Sequence, residues 1–484
     1  MSIVTQYALL PQRRTKIVAT LGPATQQAAK IRELIEAGVN VFRVNMSHGS
    51  HADHAAAIAN IREQAAALGA FTAILVDLCG PKIRTGRFAQ SPLRLEEGAL
   101  VTVTTREVTG DASLIPSQYT GLADDVVPGD RILLNDGAAE LVVLEVAGTE
   151  VHCRVVEGGP IGDRKGINLP GVKVSAPSLT DKDREDALFA LAQQADFIAL
   201  SFVRTAQDVQ SLLELIDDSP WRPSVIAKIE KPEALENLEE ILSAADGIMV
   251  ARGDLGVELP PEQVPIAQAQ LVRAARLHDK PVIVATQMLE SMITAARPTR
   301  AEVSDVSGAV ASGADAVMLS AETAIGEHAV DAVETMHRIA RQTESYQFHA
   351  RSPGIRLPLE ATHGHATHGN AVASATALLV AQTQARAVVV FTRFGVTAAA
   401  LCAARPPAPV VVVSDSPSVC RRMSLLWGAL PVLDAGISGE EAHQTARRIA
   451  REAGLAEAGQ VVLLVQGFNK DPQLETPSIT LLRA

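Results

Sequence analysis

SVIAKIEKPEALENLEEILSAADGIMVARGD, residues 224–254, decides the fold. Two short runs rich in Val and Ile, Ser224–Glu230 and Gly247–Asp254, flank a stretch of helical character, Pro232–Ala244. Each run is apolar at successive positions, which marks a strand buried on both faces. Each also ends in charge: Lys228 and Glu230 in the first, Arg252 and Asp254 in the second. Working outward, the same unit recurs. Further runs are Ile17–Thr20, Val39–Asn45, Phe71–Asp77, Phe197–Ser201, Pro281–Thr286 and Ala316–Glu322, and helix-like stretches such as Gln26–Ala37, Asp181–Gln194 and Val264–His278 fall between them. Eight β-then-α units in series predict a closed (β/α)8 TIM barrel, whose C-terminal strand ends build the active site. Nearly every run ends in polar or charged residues, as that arrangement requires.

One segment breaks the repeat. From 86 to 169 the texture changes to alternating runs at Leu100, Arg131, Glu140 and Val151, separated by Asn-Asp-Gly and Gly-Gly turns. This predicts a small inserted β-barrel domain, placed at the barrel mouth to act as a lid. After about residue 345 a loose stretch rich in Pro, Gly and His reads as a linker. Runs at Ala387–Thr392, Pro409–Ser414, Pro431–Asp434 and Gln460–Gln466, with a helical stretch at Glu440–Glu452, then predict a C-terminal α/β domain with an open, doubly wound sheet. The expected domains are 1–85 with 170–345 for the barrel, 86–169 for the lid and 346–484 for the last unit.

Composition narrows the function. The 484 residues carry 43 Lys and Arg against 55 Asp and Glu, a net charge of −12. Such a surface repels nucleic acid and anionic membrane, and an aromatic content of 3% leaves little to stack on bases. An anionic substrate therefore needs a locally cationic pocket. Cys79, Cys153, Cys402 and Cys420 are scattered and form no C-x-x-C pair, which points away from structural zinc and disulfides and toward a reducing, cytoplasmic setting. Met1 to Gln12 has no basic n-region, and no apolar run is long enough to span a bilayer, so neither signal peptide nor membrane segment is expected.

Within Lys228-Ile-Glu230, alternation puts the lysine and the glutamate on one face. The next strand adds the carboxylate of Asp254. Two carboxylates on neighbouring strand ends suit Mg2+ or Mn2+, which take oxygen ligands and keep positions open for substrate. A lysine beside them can stabilise charge on a transferring phosphoryl group. A structural ion pair between Lys228 and Glu230 is the competing explanation. Arg43, Lys82 and Arg84, at other strand ends beside Asn45, Ser47 and Asp77, line the site with positive charge.

Several motifs now resemble one family, pyruvate kinase, over nearly the whole chain. They are Arg14-Thr-Lys-Ile-Val-Ala-Thr-Leu-Gly-Pro23, Asn40-Val-Phe-Arg-Val-Asn-Met-Ser-His-Gly49, Gly80-Pro-Lys-Ile-Arg-Thr-Gly86 and Lys165-Gly-Ile-Asn-Leu-Pro-Gly171. The most specific are Ala285-Thr-Gln-Met-Leu-Glu-Ser-Met292 with Arg297-Pro-Thr-Arg-Ala-Glu302, and Met318-Leu-Ser-Ala-Glu-Thr323. The resemblance implies transfer of a phosphoryl group from phosphoenolpyruvate to ADP. It implies Mg2+ or Mn2+ on Glu230 and Asp254, Lys228 stabilising the phosphoryl group and Arg43 contacting it. Substrate carboxylate would meet the amides at Gly253 and Asp254 and the Thr286 hydroxyl. Protonation of the enolate would fall to Thr286, Ser320 and neighbouring waters, with Glu322. Nucleotide contacts would come from Thr20, Pro23, Asn45, His48 and Arg84 and, from the lid side, Asp136 and Lys165. A homotetramer is implied as well.

The chain departs from the common family pattern at Asp77-Leu-Cys-Gly-Pro-Lys82, where many members have Asp-Thr-Lys-Gly-Pro-Glu. The lysine ammonium at 82 would replace the K+ that other members bind, so K+ is not expected to be required. In the last domain, Thr392-Arg-Phe-Gly-Val-Thr397 resembles the family's phosphate-cradling loop with Phe394 in place of a hydroxyl. A sugar-phosphate activator meeting Thr392, Arg393, Gly395 and Thr397 is the expectation, set against a vestigial strand–helix turn. His363, His365 and His368 are expected in a solvated loop, and His51 and His54 facing solvent at a helix start. Two rivals remain at this level: a metal-dependent lyase, disfavoured by the lid insertion, and a non-catalytic sugar-phosphate sensor, disfavoured by the intact Lys228, Glu230, Asp254 and Thr286.

Overall fold

The structure is a computed structural model that describes residues 9–135, 137–349, 368–434, 442–467 and 476–484. Eight parallel strands close a barrel: β1 Lys16–Thr20, β2 Val41–Asn45, β3 Ala73–Asp77, β4 Phe197–Leu200, β5 Ser224–Ile229, β6 Gly247–Ala251, β7 Val282–Ala285 and β8 Ala316–Leu319. Each pairs with its neighbours in sequence, and β8 returns to β1 with Lys16 opposite Ala316.

The strands are apolar on both faces because each face has a core to fill. Val18, Val41, Leu75, Ile226, Met249 and Ile283 point into the barrel, while Ile17, Phe42, Ile74, Val225, Ile248 and Val284 pack outward on the helices. A fully buried aliphatic side chain of this kind contributes roughly 1.5–3 kcal/mol. Helices follow the strands, among them Ala28–Ala37, His51–Ala67, Asp181–Ala192, Val264–Leu277 and Arg300–Ser312. Capping boxes start several of them, such as Thr180 with Asp183 and Thr299 with Glu302.

Two of the expected strands stop three residues short. The run predicted to reach Asp254 ends at Ala251 and passes into a short helix, Arg252–Glu258; the run predicted to reach Glu322 ends at Leu319, ahead of the helical turn Ala321–Ala324. Asp254 and Glu322 therefore come from helices at the mouth, not from strands. The helical stretch Pro232–Ala244 is also divided at Asn237 into Pro232–Glu236 and Leu238–Ala244.

At the opposite end of the barrel, alternate strands share one device. Asn40, Asp196, Asp246 and Asp315 immediately precede β2, β4, β6 and β8. The backbone N–H of each donates to a carbonyl of the preceding strand: Ile17, Ile74, Val225 and Val282 at 2.9, 3.0, 2.9 and 3.0 Å. Its side-chain oxygen accepts the N–H of that same residue at 3.0, 2.9, 2.9 and 3.2 Å. An orphan amide at each of these strand starts is thereby satisfied without water.

The insertion is an open six-stranded sheet rather than the small closed barrel expected. Its longest strands are Ala139–Ala147 and Glu150–Glu157, and a separate two-stranded pair lies beside it. Two antiparallel hinge segments carry it: the Thr85 N–H donates to Lys165 O at 2.8 Å and the Ile167 N–H to Ile83 O at 3.0 Å. The last unit has a five-stranded sheet in the order Ala429–Leu433, Val410–Ser414, Val388–Phe391, Val461–Gln466, Ser478–Arg483. The first four are parallel, as an open doubly wound sheet requires, and the fifth, which the sequence pattern does not announce, is antiparallel. This unit seals the barrel floor. Leu425 enters the interior core, Lys16 Nζ donates to Ala429 O at 2.6 Å, Arg405 pairs with Asp315 at 2.9 Å and Arg421 with Asp196 at 2.8 Å. No helix among the described residues is long and apolar enough to cross a membrane.

Candidate active site

Steps of two along the barrel strands bring the polar set together. From interior Val18 the next inward residue is Thr20; from Val41 it is Arg43, then Asn45; from Leu75, Asp77; from Ala199, Ser201; from Ile226, Lys228 and then Glu230. Register aligns them, with Thr20 opposite Arg43 and Asn45 opposite Asp77. The lysine lies at the centre. Lys228 Nζ is 2.9 Å from Glu230 Oε1 and 3.3 Å from Asp77 Oδ1, and donates to Ser201 Oγ at 2.7 Å. Arg43 holds the other side of Asp77, Nε to Oδ2 at 2.6 Å, and donates to Thr20 Oγ1 at 3.2 Å.

This packing sets the charges. Burial alone would lower the Lys228 pKa, but Asp77 and Glu230 beside it outweigh burial and push it above its ordinary value. Burial raises the Asp77 carboxyl, yet Lys228 and Arg43 together hold it below the usual range. Glu230 goes the other way: burial, with the Asp254 charge adding to it, raises its pKa despite Lys228. A buried carboxylate facing a second one is a site that gains from a cation. The Glu230 Oε2 atom also accepts the Phe202 N–H at 2.7 Å, so its direction is set.

Across the mouth, β7 ends in two successive left-handed residues, Thr286 at φ 72° and Gln287 at φ 53°. For a β-branched residue this costs on the order of 1–3 kcal/mol and marks a functional constraint. The consequence is visible. Ala285 faces the interior, so alternation would turn Thr286 outward; the left-handed turn instead brings its Oγ1 to accept the Gly253 N–H at 2.7 Å, while the hydroxyl donates to Ala285 O at 2.6 Å. The amide and the hydroxyl expected to receive a carboxylate thus sit side by side.

Not all expected residues join this cluster. Lys82 Nζ lies 3.8 Å from Asp254 Oδ1, with no hydrogen bond or ion pair to Asn45, Ser47 or Asp77 among the described residues. Asn45 Oδ1 accepts the Ser47 N–H at 3.2 Å. Both Glu322 oxygens are engaged by backbone, accepting from Leu289 at 3.0 Å and Ser320 at 2.7 Å, whereas the Ser320 hydroxyl is buried without a hydrogen-bond partner among the described residues. Pro23, His48 and Lys165 are exposed around the mouth, and Arg84 is half-buried, donating to Arg164 O at 3.1 Å. Asp136 lies outside the described residues, as do His363 and His365 and the side chain of His368. His51 is exposed at its helix start, as expected, where it also stacks on Phe189 and pairs with Asp186 at 2.7 Å; His54 is half-buried and bonds to His48 O at 2.8 Å. In the last unit, Thr392 Oγ1 accepts the Gly395 N–H at 2.8 Å, Thr397 is buried and Arg393 and Phe394 are exposed. That loop follows Val388–Phe391, the strand at which the sheet order reverses, where open α/β sheets bind ligands.

Two residues that the sequence shows only as polar strand ends, with no role assigned, belong to the site. Ser201 was legible as the inward step after Phe197 and Ala199. Arg252 follows β6 directly and its guanidinium reaches across to the Thr286 turn. The donor set for a metal is small: no group of three or more His, Cys, Asp or Glu side chains is placed to hold one among the described residues. The two carboxylates Glu230 and Asp254, both oxygen donors and each already facing a lysine, fit a hard divalent ion that completes its shell with water and substrate.

Comparison with known proteins agrees with this geometry. The family profile described as "Pyruvate kinase, barrel domain" matches residues 12–333, and "Pyruvate kinase, alpha/beta domain" matches 370–479. The chain is 44% identical over 460 residues to a pyruvate kinase of Agrobacterium vitis, covering 94% of this chain and 95% of the relative. It is 45% identical over 459 residues to one of Mycobacterium intracellulare, covering 94% and 95%. A crystal structure of a pyruvate kinase from Cryptosporidium parvum superimposes with a TM-score of 0.89 at 35% identity, over 98% of both chains. A lysine-centred charge cluster at the mouth of a lidded (β/α)8 barrel, matched over nearly its full length, places this chain in the pyruvate kinase family, the phosphotransferases of the glycolytic step from phosphoenolpyruvate to pyruvate.

Proposed function

We propose that this chain works as a Mg2+- or Mn2+-dependent, K+-independent enzyme whose reacting phosphoryl group sits between Lys228 and Arg43. The observation that carries this reading is the placement of Lys228 against Glu230, Asp77 and Ser201 at the strand ends. Its ammonium is fixed by three partners before substrate arrives, and stays protonated throughout. Charge developing on the phosphoryl oxygens therefore meets a cation that need not reorganise. Arg43, oriented by Asp77 and Thr20, gives a second contact. The bond from phosphorus to the enol oxygen of phosphoenolpyruvate breaks as a bond to a β-phosphate oxygen of ADP forms.

Gly253, Asp254 and Thr286 receive the substrate carboxylate, for which the Gly253 amide exchanges its bond to the Thr286 hydroxyl. The enolate left behind takes a proton from the side of Thr286 and Ser320, two hydroxyls near the turn; Glu322, tied to two backbone amides, orients Ser320 rather than moving the proton itself. Glu230 and Asp254 would hold the divalent cation, which would supply positive charge to the transferring group. Thr20, Pro23, Asn45, His48, Arg84 and Lys165 contact the nucleotide.

Lys82 supplies the positive charge that K+ brings in other members. Its side chain points to the same mouth, and Asp77, with a cation on each oxygen, has little left to offer a monovalent ion. The Thr392–Thr397 loop is the place for a phosphorylated sugar, acting through a homotetramer. The four cysteines are free thiols, which supports action in the cytoplasm.

Metal placement is tested by titration calorimetry with Mn2+. Glu230→Gln is expected to weaken binding by at least about tenfold relative to the unsubstituted protein. Unchanged affinity would remove Glu230 from the metal site.

A further inference from the structure

Arg252, to which the family resemblance assigns no role, is bonded on both edges of its guanidinium at this side of the mouth. It opens the short helix after β6, and its side chain is nearly buried. The guanidinium spreads over the neighbouring strand end: Nη2 donates to Thr286 O at 2.6 Å and Nε to Ala285 O at 3.3 Å. On its far edge Nη1 pairs with Asp305 Oδ1 at 2.6 Å and reaches Gln268 Oε1 at 3.4 Å. The two carbonyls it grips lie at the start of the left-handed pair Thr286 and Gln287. A strained turn of this kind persists only where the surroundings over-determine it. A planar fork with several fixed donors can bind two successive carbonyls and a carboxylate together, whereas a lysine ammonium is a single point charge on a flexible stem.

We propose that Arg252, held from behind by Asp305, is a positioning residue that sets the Thr286 hydroxyl and the Gly253 amide for the substrate carboxylate. Because Arg252 is joined to Gly253 in sequence, one side chain fixes both receivers: it starts the helix that presents the amide and ties down the turn that presents the hydroxyl. The inference rests on the reading of Thr286 and Gly253 as the carboxylate receivers. Asp305, on the helix Arg300–Ser312, is partly exposed, and its link to the site runs through Arg252, so it can be altered without emptying the core.

Steady-state kinetics on the full chain test this. Arg252→Lys is expected to raise KM for phosphoenolpyruvate about tenfold, the size of one lost charge-assisted hydrogen bond. KM for ADP should stay within about twofold, since the partners of Arg252 all lie on the carboxylate side of the mouth. Asp305→Asn, which leaves the carbonyl bonds in place, should raise the phosphoenolpyruvate KM by only about two- to threefold, in the range of a partly exposed pair. In a Thr286→Ala background, Arg252→Lys should add less than about twofold, because residues acting as a unit are not additive. If Thr286→Ala is damaging and Arg252→Lys still multiplies it in full, or if both substrates weaken equally in Arg252→Lys and Asp305→Asn, Arg252 does not act through Thr286 and the positioning role fails alone. If Thr286→Ala leaves both KM and kcat for phosphoenolpyruvate unchanged, the carboxylate reading of Thr286 fails first and the role of Arg252 goes with it.

Discussion

Replacing Lys228 by methionine is expected to lower kcat by about a thousandfold or more, the scale set by removing a preorganised cation or donor from a transferring group. Methionine is close to lysine in length, so the cavity between β5 and its neighbours stays filled. What disappears is the charge. Asp77 keeps Arg43 at 2.6 Å, but Glu230 then faces Asp254 with no lysine beside it, and its pKa rises further. Substrate still finds Arg43 and the carboxylate receivers, so KM for phosphoenolpyruvate should change far less than kcat. That split is the signature of an interaction made chiefly in the transition state. The check is kcat at saturating substrates, with the thermal midpoint measured in parallel. A kcat within tenfold of the parent would mean that the Lys228–Glu230 pair is a structural ion pair, the competing explanation raised by the sequence.

The second large effect lies at the other end of the barrel. Asp315→Ala should destabilise the protein by about 3–5 kcal/mol, because a buried guanidinium loses its counter-charge. Asp315 Oδ1 faces Arg405 Nη1 at 2.9 Å and accepts the Trp427 N–H at 3.1 Å, while Oδ2 accepts the Val282 N–H at 3.2 Å. One carboxylate thus joins β7, the start of β8 and the C-terminal unit. Arg405 lies over the Trp427 ring, 5.0 Å from its centroid, and pairs with no second carboxylate among the described residues. Chemical denaturation followed by tryptophan fluorescence reads the loss, since Trp427 is at the interface. Adding Arg405→Met to Asp315→Ala should recover part of the stability by removing the stranded charge. A silent single substitution would show that the barrel floor is held by apolar contacts such as Leu425 alone.

Much of the barrel and its chemistry is legible in the amino-acid sequence, for one physical reason. In a closed parallel barrel both strand faces are buried, so Val and Ile runs stand out, and polar residues gather at the strand ends. Counting by twos from Val18, Val41, Leu75 and Ile226 leads to Thr20, Arg43, Asp77 and Lys228 without further information. Thr286 is different. Alternation would have turned it away, and only the left-handed turn held by Arg252 brings its hydroxyl to Gly253. The family resemblance implies a part for Glu322 in protonating the enolate, but one of its two backbone bonds comes from Leu289, thirty-three residues earlier. The partner of Lys82 could not be foreseen, because Asp254 reaches it from a helix where the apolar run predicts a strand. The Asn and Asp residues ahead of β2, β4, β6 and β8 are in plain view. Their meaning appears only once register shows which strand start each one satisfies.

The claim that this site carries its own monovalent charge is tested most directly by pyruvate formation from phosphoenolpyruvate and ADP with Mg2+, across a K+ series that begins with none. The unsubstituted protein should run at full rate in the absence of K+. Lys82→Glu should lose about tenfold or more without K+ and regain it as K+ is added, because the carboxylate removes the built-in cation and restores a place for a free one. A rate that appears in the unsubstituted protein only when K+ is supplied, or a Lys82→Glu variant indifferent to K+, would contradict the assignment of Lys82.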